Sequence, residues 1–430
     1  MKKINTIFTI LFSLAFLSVS AQKDSVQMEA GYANDIFYSL LNGQIKKSPN
    51  NNWDLGFRTG FRTDGIFINS SNVAGPTART SKLFLYPKGN ISAWGTFDTT
   101  GHKQWLEYQN SDSSWEFGAF NRAAGAFPDF SWGVYNTTTK LVEGDSLYLL
   151  QITNGATTTF KKLQIIDKNF GVWHIRYADV DGSNEVVDTI VSSNAAAKLL
   201  DYYSVLDGTR PNNEPDSVKD WDIVFKRYHE LLPPTFATYY PVMGIWANKD
   251  VVVAEVRNTD IANFDYTTLT ANDYKVAANI IGSDWKNYDM NVFQWKIEDS
   301  LAYYVKARTG AIWRLEFLSF GGSGNGRTVF KRTQMSPGLS VNPVAPVASF
   351  GIYPNPTAGN LEVVFENRDN SVKNTIKIMD MAGKVVLQRN VESAVGFHAN
   401  SFDISNLTSG VYIVNLENNG YVISQKLIKE

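Results

Sequence analysis

Residues 51–69 read NNWDLGFRTGFRTDGIFIN, and residues 219–228 read KDWDIVFKRY. Both contain a Trp-Asp-aliphatic-x-Phe strand pattern. Each is preceded by a Tyr-Ser segment with a Gly turn, YSLLNGQ at 38–44 and YSVLDGT at 203–209. Self-similarity of this kind indicates an internal repeat. The sequence therefore predicts two diverged copies of one β unit.

The second half of each copy also matches. SLYLLQITNGATTTFKKLQII at 146–166 parallels SLAYYVKARTGAIWRLEFLSF at 300–320, and each favours a strand, a Gly-containing turn and a strand. We place the first unit at residues 22–195 and the second at 196–335. Two arrangements remain open: two separate units, or units in which strands of one copy complete the sheet of the other.

Composition favours a mainly β fold. Aromatic residues make up 13% of the 430 residues, and short apolar segments alternate with polar turns. Helices are predicted only near Ala195–Tyr203 and Thr268–Asn279. The chain has no cysteine, which excludes disulfides, thiolate catalysis and cysteine zinc sites. A net charge of −2, with both signs mixed along the chain, argues against a nucleic-acid partner.

The N-terminus has the pattern of a secretory signal peptide over residues 1–21. Lys2 and Lys3 precede an apolar run, and Val19-Ser20-Ala21 supplies small residues before a cleavage point at Gln22. No second long apolar run follows, so we expect no transmembrane span in the mature chain. Residues 336–349, SPGLSVNPVAPVAS, predict an extended linker, and residues 350–430 a separate module.

The C-terminal module resembles the sorting domain of the type IX (Por) secretion system of the Bacteroidetes. Four segments carry the resemblance, in the family's order: FGIYPNPTAGNLEV (350–363), IKIMDMAGKVV (376–386), FDISNLTSGVYIVNL (402–416) and SQKLIKE (424–430). The resemblance implies an immunoglobulin-like β-sandwich that the secretion machinery reads. It also implies a secreted or outer-surface location, reached through the periplasm.

The repeated unit resembles the HmuY family of secreted haem carriers. The residues that carry this resemblance are Trp53-Asp54-Leu55-Gly56-Phe57 and Trp221-Asp222-Ile223-Val224-Phe225, each with its Tyr-Ser segment. The expected fold is thus two HmuY-like antiparallel β units followed by an immunoglobulin-like β-sandwich. A tandem copy departs from the family's single domain, so it is open whether both repeats bind a ligand.

In the HmuY family, paired His or Met side chains hold the haem iron, which needs such ligands inside an aromatic-lined cleft. Three residues are the axial candidates: His102 on a turn, His229 at a strand end and Met243 in the second unit. Two further histidines are set aside, His174 as a strand residue and His398 as part of the sorting module. None of the candidates has a matching partner in the other repeat. No other metal is predicted.

Enzymatic motifs are lacking, so we predict no catalytic residues and expect that the protein is not an enzyme. Asp54 and Asp222 are expected to hydrogen-bond to backbone rather than to form a glycosidase pair. The leading function is a secreted or surface-attached binding protein, with haem or another porphyrin as the candidate ligand. The alternative is a surface interaction protein that binds glycan or protein, and the third possibility is a secreted hydrolase.

Overall fold

The computed structural model describes residues 21–60, 63–70, 78–195, 197–231, 238–337, 347–367, 374–380, 383–391, 394–418 and 421–430. The predicted signal peptide lies outside these residues apart from Ala21, and so does the greater part of the predicted linker, residues 338–346. Antiparallel strands make up most of the described chain, which confirms the mainly β class.

The described residues of the N-terminal body form twenty-two strands. The first twelve are β1 (Ala21–Gln27), β2 (Asn34–Ser39), β3 (Gly43–Pro49), β4 (Leu55–Arg58), β5 (Ile66–Ile68), β6 (Arg79–Leu85), β7 (Glu107–Tyr108), β8 (Gly133–Tyr135), β9 (Val142–Gly144), β10 (Tyr148–Asn154), β11 (Thr157–Asn169) and β12 (Val172–Asp179). The next ten are β13 (Val186–Val191), β14 (Leu200–Tyr203), β15 (Ile223–Leu231), β16 (Tyr239–Ala247), β17 (Val252–Arg257), β18 (Lys286–Asp289), β19 (Gln294–Ile297), β20 (Leu301–Lys306), β21 (Ile312–Phe320) and β22 (Arg327–Ser336).

Seven more strands form the C-terminal module: β23 (Val347–Tyr353), β24 (Asn360–Asn367), β25 (Asn374–Asp380), β26 (Val385–Val391), β27 (Gly396–Asp403), β28 (Gly410–Asn418) and β29 (Tyr421–Lys429). The helices of the described chain are short 3₁₀ turns at Ala30–Tyr32, Ile91–Thr96, His102–Gln104, Ala119–Asn121, Ser192–Ala195, Tyr266–Thr268 and Gly322–Gly324. Within these described ranges, no helix has both the length and the apolar character needed to cross a bilayer.

Four large sheets and the separate two-stranded sheet β18-β19 form the described body, and we name the four large sheets by position. The first outer sheet has the order β13-β12-β11-β10-β6-β7, with β9 and β8 attached to β11. The first inner sheet is β14-β4-β5, and the second inner sheet is β16-β15-β2-β3. The second outer sheet is β1-β22-β21-β20-β17. Each outer sheet shares a hydrophobic core with its inner sheet, and a third core lies between the two inner sheets.

The two copies of the repeat exchange strands. β2, the first Tyr-Ser strand, pairs with β15 of the second copy, with Tyr38 opposite Ile223. In the other direction β14, the second Tyr-Ser strand, pairs with β4, with Tyr203 opposite Leu55. β1 likewise crosses to β22. Of the two arrangements left open by the sequence, the observed pairing is the one in which each copy completes a sheet of the other. The boundary at residue 195 itself stays a prediction.

A pair of aspartates fastens this exchange in the same way on both sides. The amide of Asp54 donates to the carbonyl oxygen of Tyr203 at 2.9 Å, and its carboxylate accepts the amide of Val205 at 2.7 Å. In the second copy, Asp222 makes the same bond to Tyr38 at 2.9 Å and accepts the amide of Leu40 at 2.8 Å. Both aspartates therefore act as strand-register residues that bind backbone. We call these two contacts the aspartate clasps.

Strands β4, β5 and β14 and residues 223–225 of β15 are buried on both faces, which explains why they read as mostly apolar runs rather than as alternating patterns. In β15, Ile223 and Phe225 face the core shared with the second outer sheet, whereas Val224 and Tyr228 face the core between the two inner sheets. The core between the two inner sheets, which we call the junction core, contains Phe37, Trp53, Phe67, Trp115, Leu199, Leu200, Tyr202, Trp221, Val224, Tyr228, Trp246 and Ala278.

The two helix predictions are wrong. Leu200–Tyr203 is strand β14, and in the range Thr268–Asn279 helical structure is limited to the end of the turn Tyr266–Thr268. Local helix propensity is a weak prior that tertiary contacts override. Here, pairing with β4 and burial of Leu200 and Tyr202 in the junction core select the strand.

The C-terminal module is a two-sheet sandwich. One sheet has the order β23-β24-β27 and the other β26-β25-β28-β29. Their inner faces share one core, which includes Leu361, Phe365, Ile376, Ile378, Val414 and Leu427. Just before β26, Gly383 has a positive φ of 83°, and its amide donates to the carbonyl oxygen of Asp380, the last residue of β25.

Replacing an aspartate of a clasp should destabilise the body. Asp54→Ala removes the buried partner of Arg79 and the acceptor for the amide of Val205, so we expect a loss of about 3 kcal/mol in the free energy of unfolding. Asp222→Ala should cost about 1–2 kcal/mol. Urea denaturation measures both. The exposed Asp181→Ala is the control and should change little, and a loss below about 1 kcal/mol for Asp54→Ala would contradict the clasp.

Candidate functional site

His102 lies on the outer face of the first outer sheet, in a group of aromatic rings. Its imidazole packs edge-on against Phe160 at 5.2 Å and lies 6.4 Å from Phe84 and 6.5 Å from Trp105. The left-handed Gly101, at a φ of 82°, turns the chain into the 3₁₀ helix that carries His102. We call the rings of Phe84, Tyr86, Phe97, His102, Trp105 and Phe160 the aromatic corner.

The imidazole of His102 is oriented by the backbone. Its Nδ1 lies 3.3 Å from the carbonyl oxygen of Thr99. A carbonyl accepts only, so the contact favours the tautomer with a proton on Nδ1 and leaves Nε2 as the unprotonated nitrogen. Metal-binding histidines are commonly held in this way. The side chain is half-buried, as are those of Trp105 and Phe160.

The rim of the aromatic corner is polar. Tyr86 and Phe97 stack at 4.2 Å, and Trp105 meets Tyr86 edge-on at 5.4 Å. The ammonium of Lys88 lies 6.0 Å from the ring of Trp105 and pairs with Asp98 at 2.6 Å. The corner therefore presents aromatic surface beside one exposed ion pair.

His229 lies elsewhere, near the end of β15. Its Nδ1 is buried and has no hydrogen-bond partner among the described residues. Burial, with the neighbouring charges of Arg227 and Lys82, lowers the pKa of His229 to about 4. The imidazole is therefore neutral at physiological pH, and it borders a small polar cavity at the edge of the junction core.

Met243 is a core residue. It lies on β16 with only 5% of its surface exposed and packs with Ile223, Phe225 and Ile245. Among the described contacts, no ring contact or hydrogen bond joins any two of His102, His229 and Met243. The structure therefore does not bring the three sequence candidates together as axial pairs.

The other two histidines of the chain have partners of their own, and Met290 lies at the surface. His174 bonds Asp167 at 2.7 Å on the first outer sheet, and His398 bonds the carbonyl of Ala394 at 2.7 Å in the sorting module. Met290 is 68% exposed at the tip of a hairpin. Across the described ranges, no group of three or more His, Cys, Asp or Glu side chains is placed to hold a metal ion.

The tryptophans between residues 90 and 135 mostly fill cores. Trp132 is fully buried, and Trp94 and Trp115 are each 7% exposed. Trp105 is the exception, since it is half-buried in the aromatic corner. Core packing therefore accounts for three of these four side chains. Of the four, only Trp105 presents a ring surface on which a ligand could stack.

A buried charge cluster beside His229 was not anticipated from the sequence. The ammonium of Lys226 lies between Trp246 at 4.6 Å and Trp115 at 5.0 Å, and the carboxylates of Asp35 and Glu214 act on its charge. Burial lowers the pKa of Lys226 and raises that of Asp35 to about 6. The one available signal was the position of Lys226 between Val224 and Tyr228, on a face that is otherwise apolar.

Asp35, Lys226 and Trp246 line the polar cavity, whose volume is about 30 Å³. A cavity of this size holds one or two water molecules. Pockets for drug-sized ligands are roughly ten times larger or more. The cavity beside Lys226 and His229 therefore has room for water next to the buried charges but not for a porphyrin.

In the sorting module, two distant sequence segments meet. Asn355, from the Tyr-Pro-Asn-Pro-Thr run, donates from Nδ2 to the carbonyl of Lys426 at 2.7 Å and accepts the amide of Ile428 at 2.8 Å. The amide of Thr357 donates to the carbonyl of Ile428 at 3.0 Å, and the amide of Glu430 donates to Thr357 at 2.9 Å. The first signature segment thus fixes the last strand, β29, in place.

Comparison with known proteins identifies this module. Residues 351–430 match the family model of the secretion system C-terminal sorting domain. The chain is therefore exported by the type IX secretion system to the cell surface or the medium, and its sorting domain is the part that the secretion machinery recognises. This confirms the sequence prediction for residues 350–430.

Other comparisons add little. No curated protein matches the chain. One solved structure with some similarity is the dimeric latent PorU from Porphyromonas gingivalis, at 11% identity and a TM-score of 0.18. The match covers 92% of this chain and 34% of that one, so the chain spans about a third of its length. A TM-score this low carries no argument. The resemblance to the HmuY family stays a prediction.

Removing the contact between Asn355 and β29 should weaken the sorting module. Asn355→Ala deletes two hydrogen bonds to backbone, so we expect a loss of about 1–2 kcal/mol in the stability of the module. Hydrogen exchange of the β29 amides measures it. Asn406→Ala, at an exposed asparagine, is the control. Unchanged protection of β29 in Asn355→Ala would contradict this role.

The stability of the body should depend on Glu214. Its buried carboxylate accepts the amides of Leu199 at 2.7 Å and Leu200 at 3.1 Å, and burial raises its pKa from 4.5 to about 7. Because the pKa of Glu214 is higher in the folded state than in the unfolded state, the folded protein holds the carboxyl proton more tightly, and protonation of Glu214 stabilises the fold. This contribution to stability is complete below pH 4.5 and is lost as the pH rises through 7.

We therefore expect the change in unfolding free energy between pH 5 and pH 8 to be about 2 kcal/mol smaller in Glu214→Gln than in the parent protein. Urea denaturation at the two pH values measures the difference. Glu29→Gln, at a half-exposed position, serves as the control. An identical pH dependence in Glu214→Gln and the parent protein would show that this carboxylate does not titrate as described.

Proposed function

We propose that the exported protein is a non-enzymatic binding protein, and that its aromatic corner binds haem or another porphyrin through Nε2 of His102. The observation that carries this proposal is the contact of Nδ1 with the carbonyl of Thr99. It leaves Nε2 as a ligating nitrogen among half-buried aromatic rings, which is the environment that haem iron requires. When bound, haem would supply an iron centre that can also take a second, exchangeable ligand.

The residues of the aromatic corner fit a porphyrin held from one side. His102 offers one imidazole, and Phe160 and Trp105 offer apolar surface for the macrocycle. No second histidine or methionine of the described residues makes a ring contact or hydrogen bond with His102. The site would therefore be a single-ligand surface site rather than a closed cleft with paired ligands.

Two features favour His102 over the other sequence candidates. Met243 is buried in the core, so its sulfur would reach a ligand only after unfolding of β16. His229 borders a cavity with room for water alone. The resemblance of the Trp-Asp strands to the HmuY family supports haem as the ligand class and extends to no single residue of the site.

Glycan binding is the second candidate, and one observation favours it. The half-buried ring of Trp105 lies beside the exposed ion pair of Lys88 and Asp98. An aromatic face with charged groups at its edge suits a sugar, whose C–H surface packs on the ring while its hydroxyls bind the polar groups. The same surface would then serve a different partner.

A haemin titration separates the two candidates. Haemin added to the purified exported protein should give a saturable, sharpened Soret band, since an imidazole ligand changes the absorption of the iron porphyrin. His102→Ala should abolish this band. Circular dichroism should show that the variant keeps its β structure, because His102 lies on a surface turn.

The matched control is His174→Ala, since His174 is also half-exposed but bonds Asp167. It should bind haemin as the parent protein does. A spectrum that stays that of free haemin at several equivalents, or equal binding by His102→Ala, would remove the haem proposal. A glycan array with a Trp105→Ala variant would then test the second candidate.

A further inference from the structure

A hairpin outside the four large sheets exposes an unusual number of apolar side chains. β18 and β19 form a separate two-stranded sheet, joined by residues 290–293. Met290 is 68% exposed, Val292 53% and Phe293 69%. Tyr288 and Trp295 stand opposite each other just behind them and are partly exposed. We call residues 286–297 the tip hairpin.

The base of the tip hairpin is firmly seated on the body. Trp295 packs edge-on against Phe320 at 5.0 Å. It also lies so close to Gly322 that a Cβ there would come within 2.8 Å of the indole nitrogen. The ammonium of Lys286 donates to the carbonyl of Met243 at 2.7 Å beneath the ring of Trp285. These contacts fix the base of the hairpin on the body, so that the tip projects into solvent.

The charged side chains of the tip hairpin lie on its strands and not in its turn. Asp289 and Lys296 pair across the two strands at 2.5 Å, so they neutralise each other. The six residues between them, Met-Asn-Val-Phe-Gln-Trp at 290–295, carry no charge. Tyr288 and Trp295 mark the level of this ion pair, and beyond it the large side chains are aliphatic or phenyl.

We propose that the tip hairpin inserts into a lipid surface at the place to which the protein is exported. The four residues 290–293 connect β18 to β19, so two residues lead away from the strands and two lead back. At about 3.3 Å per residue, the turn reaches about 7 Å beyond the ion pair. Amphipathic elements bury their apolar side chains about 5–10 Å into the boundary between headgroups and acyl chains. Tyr and Trp belong at that boundary and aliphatic side chains below it, which is the order seen here.

The chemistry points to the apolar part of a lipid layer rather than to its headgroup charges. The tip carries no net charge, and the chain as a whole carries −2. A projecting apolar tip also differs from the concave, polar-rimmed sites that receive small molecules. Binding should therefore be insensitive to lipid charge and to salt, in contrast to attraction by a basic patch.

Vesicle flotation with the full exported protein tests this inference. The protein should float with vesicles of pure phosphatidylcholine and with vesicles of phosphatidylethanolamine and phosphatidylglycerol at 3:1, equally at low salt and in 0.5 M NaCl. Phe293→Asp places a charge in the tip and should reduce the protein–lipid partition coefficient, obtained from the floated fraction, about tenfold or more, since the burial of one phenyl group is lost.

Phe127→Asp is the matched control, because Phe127 is exposed to a similar extent, 73%, on the loop that precedes β8. It should float like the parent protein. Light scattering must show the same mass for all three proteins. Failure to float with either vesicle, equal flotation of Phe293→Asp and the parent, or a dimer that Phe293→Asp dissociates would each overturn the lipid proposal, the last by assigning the tip to a second copy.

Discussion

The exchange of strands between the two repeats, held by the aspartate clasps, is the constraint on which the body depends. Because β2 completes the sheet of β15 while β14 completes that of β4, neither inner sheet exists without residues from both copies. The chain has no cysteine, so covalent staples are absent and the exchange supplies the long-range links instead. The carboxylates of Asp54 and Asp222 satisfy backbone amides that would otherwise be buried without partners.

This arrangement decides where a ligand can bind. The inner sheets bury their second faces against each other, and the cavity that remains beside Lys226 has room for water only. Both surfaces for which we propose a partner therefore lie on the outside of the body. The aromatic corner lies on the outer face of the first outer sheet, and the tip hairpin lies beside the second. Export of the chain through its sorting domain brings both surfaces to the cell exterior or the medium.

The sequence was informative where a pattern is local. The Trp-Asp strands, the hairpins that turn at Gly155 and Gly310 and the sorting segments each follow from residues that are near one another. Strand partners were not accessible, because the pattern of β2 fits β4 and β15 equally well. Leu200–Tyr203 resembled a helix until its pairing was known. The charge of Lys226 and the contacts of Asn355 depend on residues that lie far away in the sequence.

Engineered cysteines test the exchange most directly, since the chain offers a background without native thiols. Lys23 lies directly opposite Lys331, on β1 and β22, so the pair Lys23→Cys/Lys331→Cys should form a disulfide on mild oxidation. β13 precedes the second Tyr-Ser strand as β1 precedes the first, and β13 pairs with β12, where Val187 lies opposite Arg176. Without exchange, β1 would take the place of β13 beside β12, and the pair Lys23→Cys/Arg176→Cys would cross-link instead. Peptide mass spectrometry of both variants distinguishes the outcomes: strand exchange gives a disulfide in the first variant alone, and a disulfide in the second variant alone would contradict the exchange.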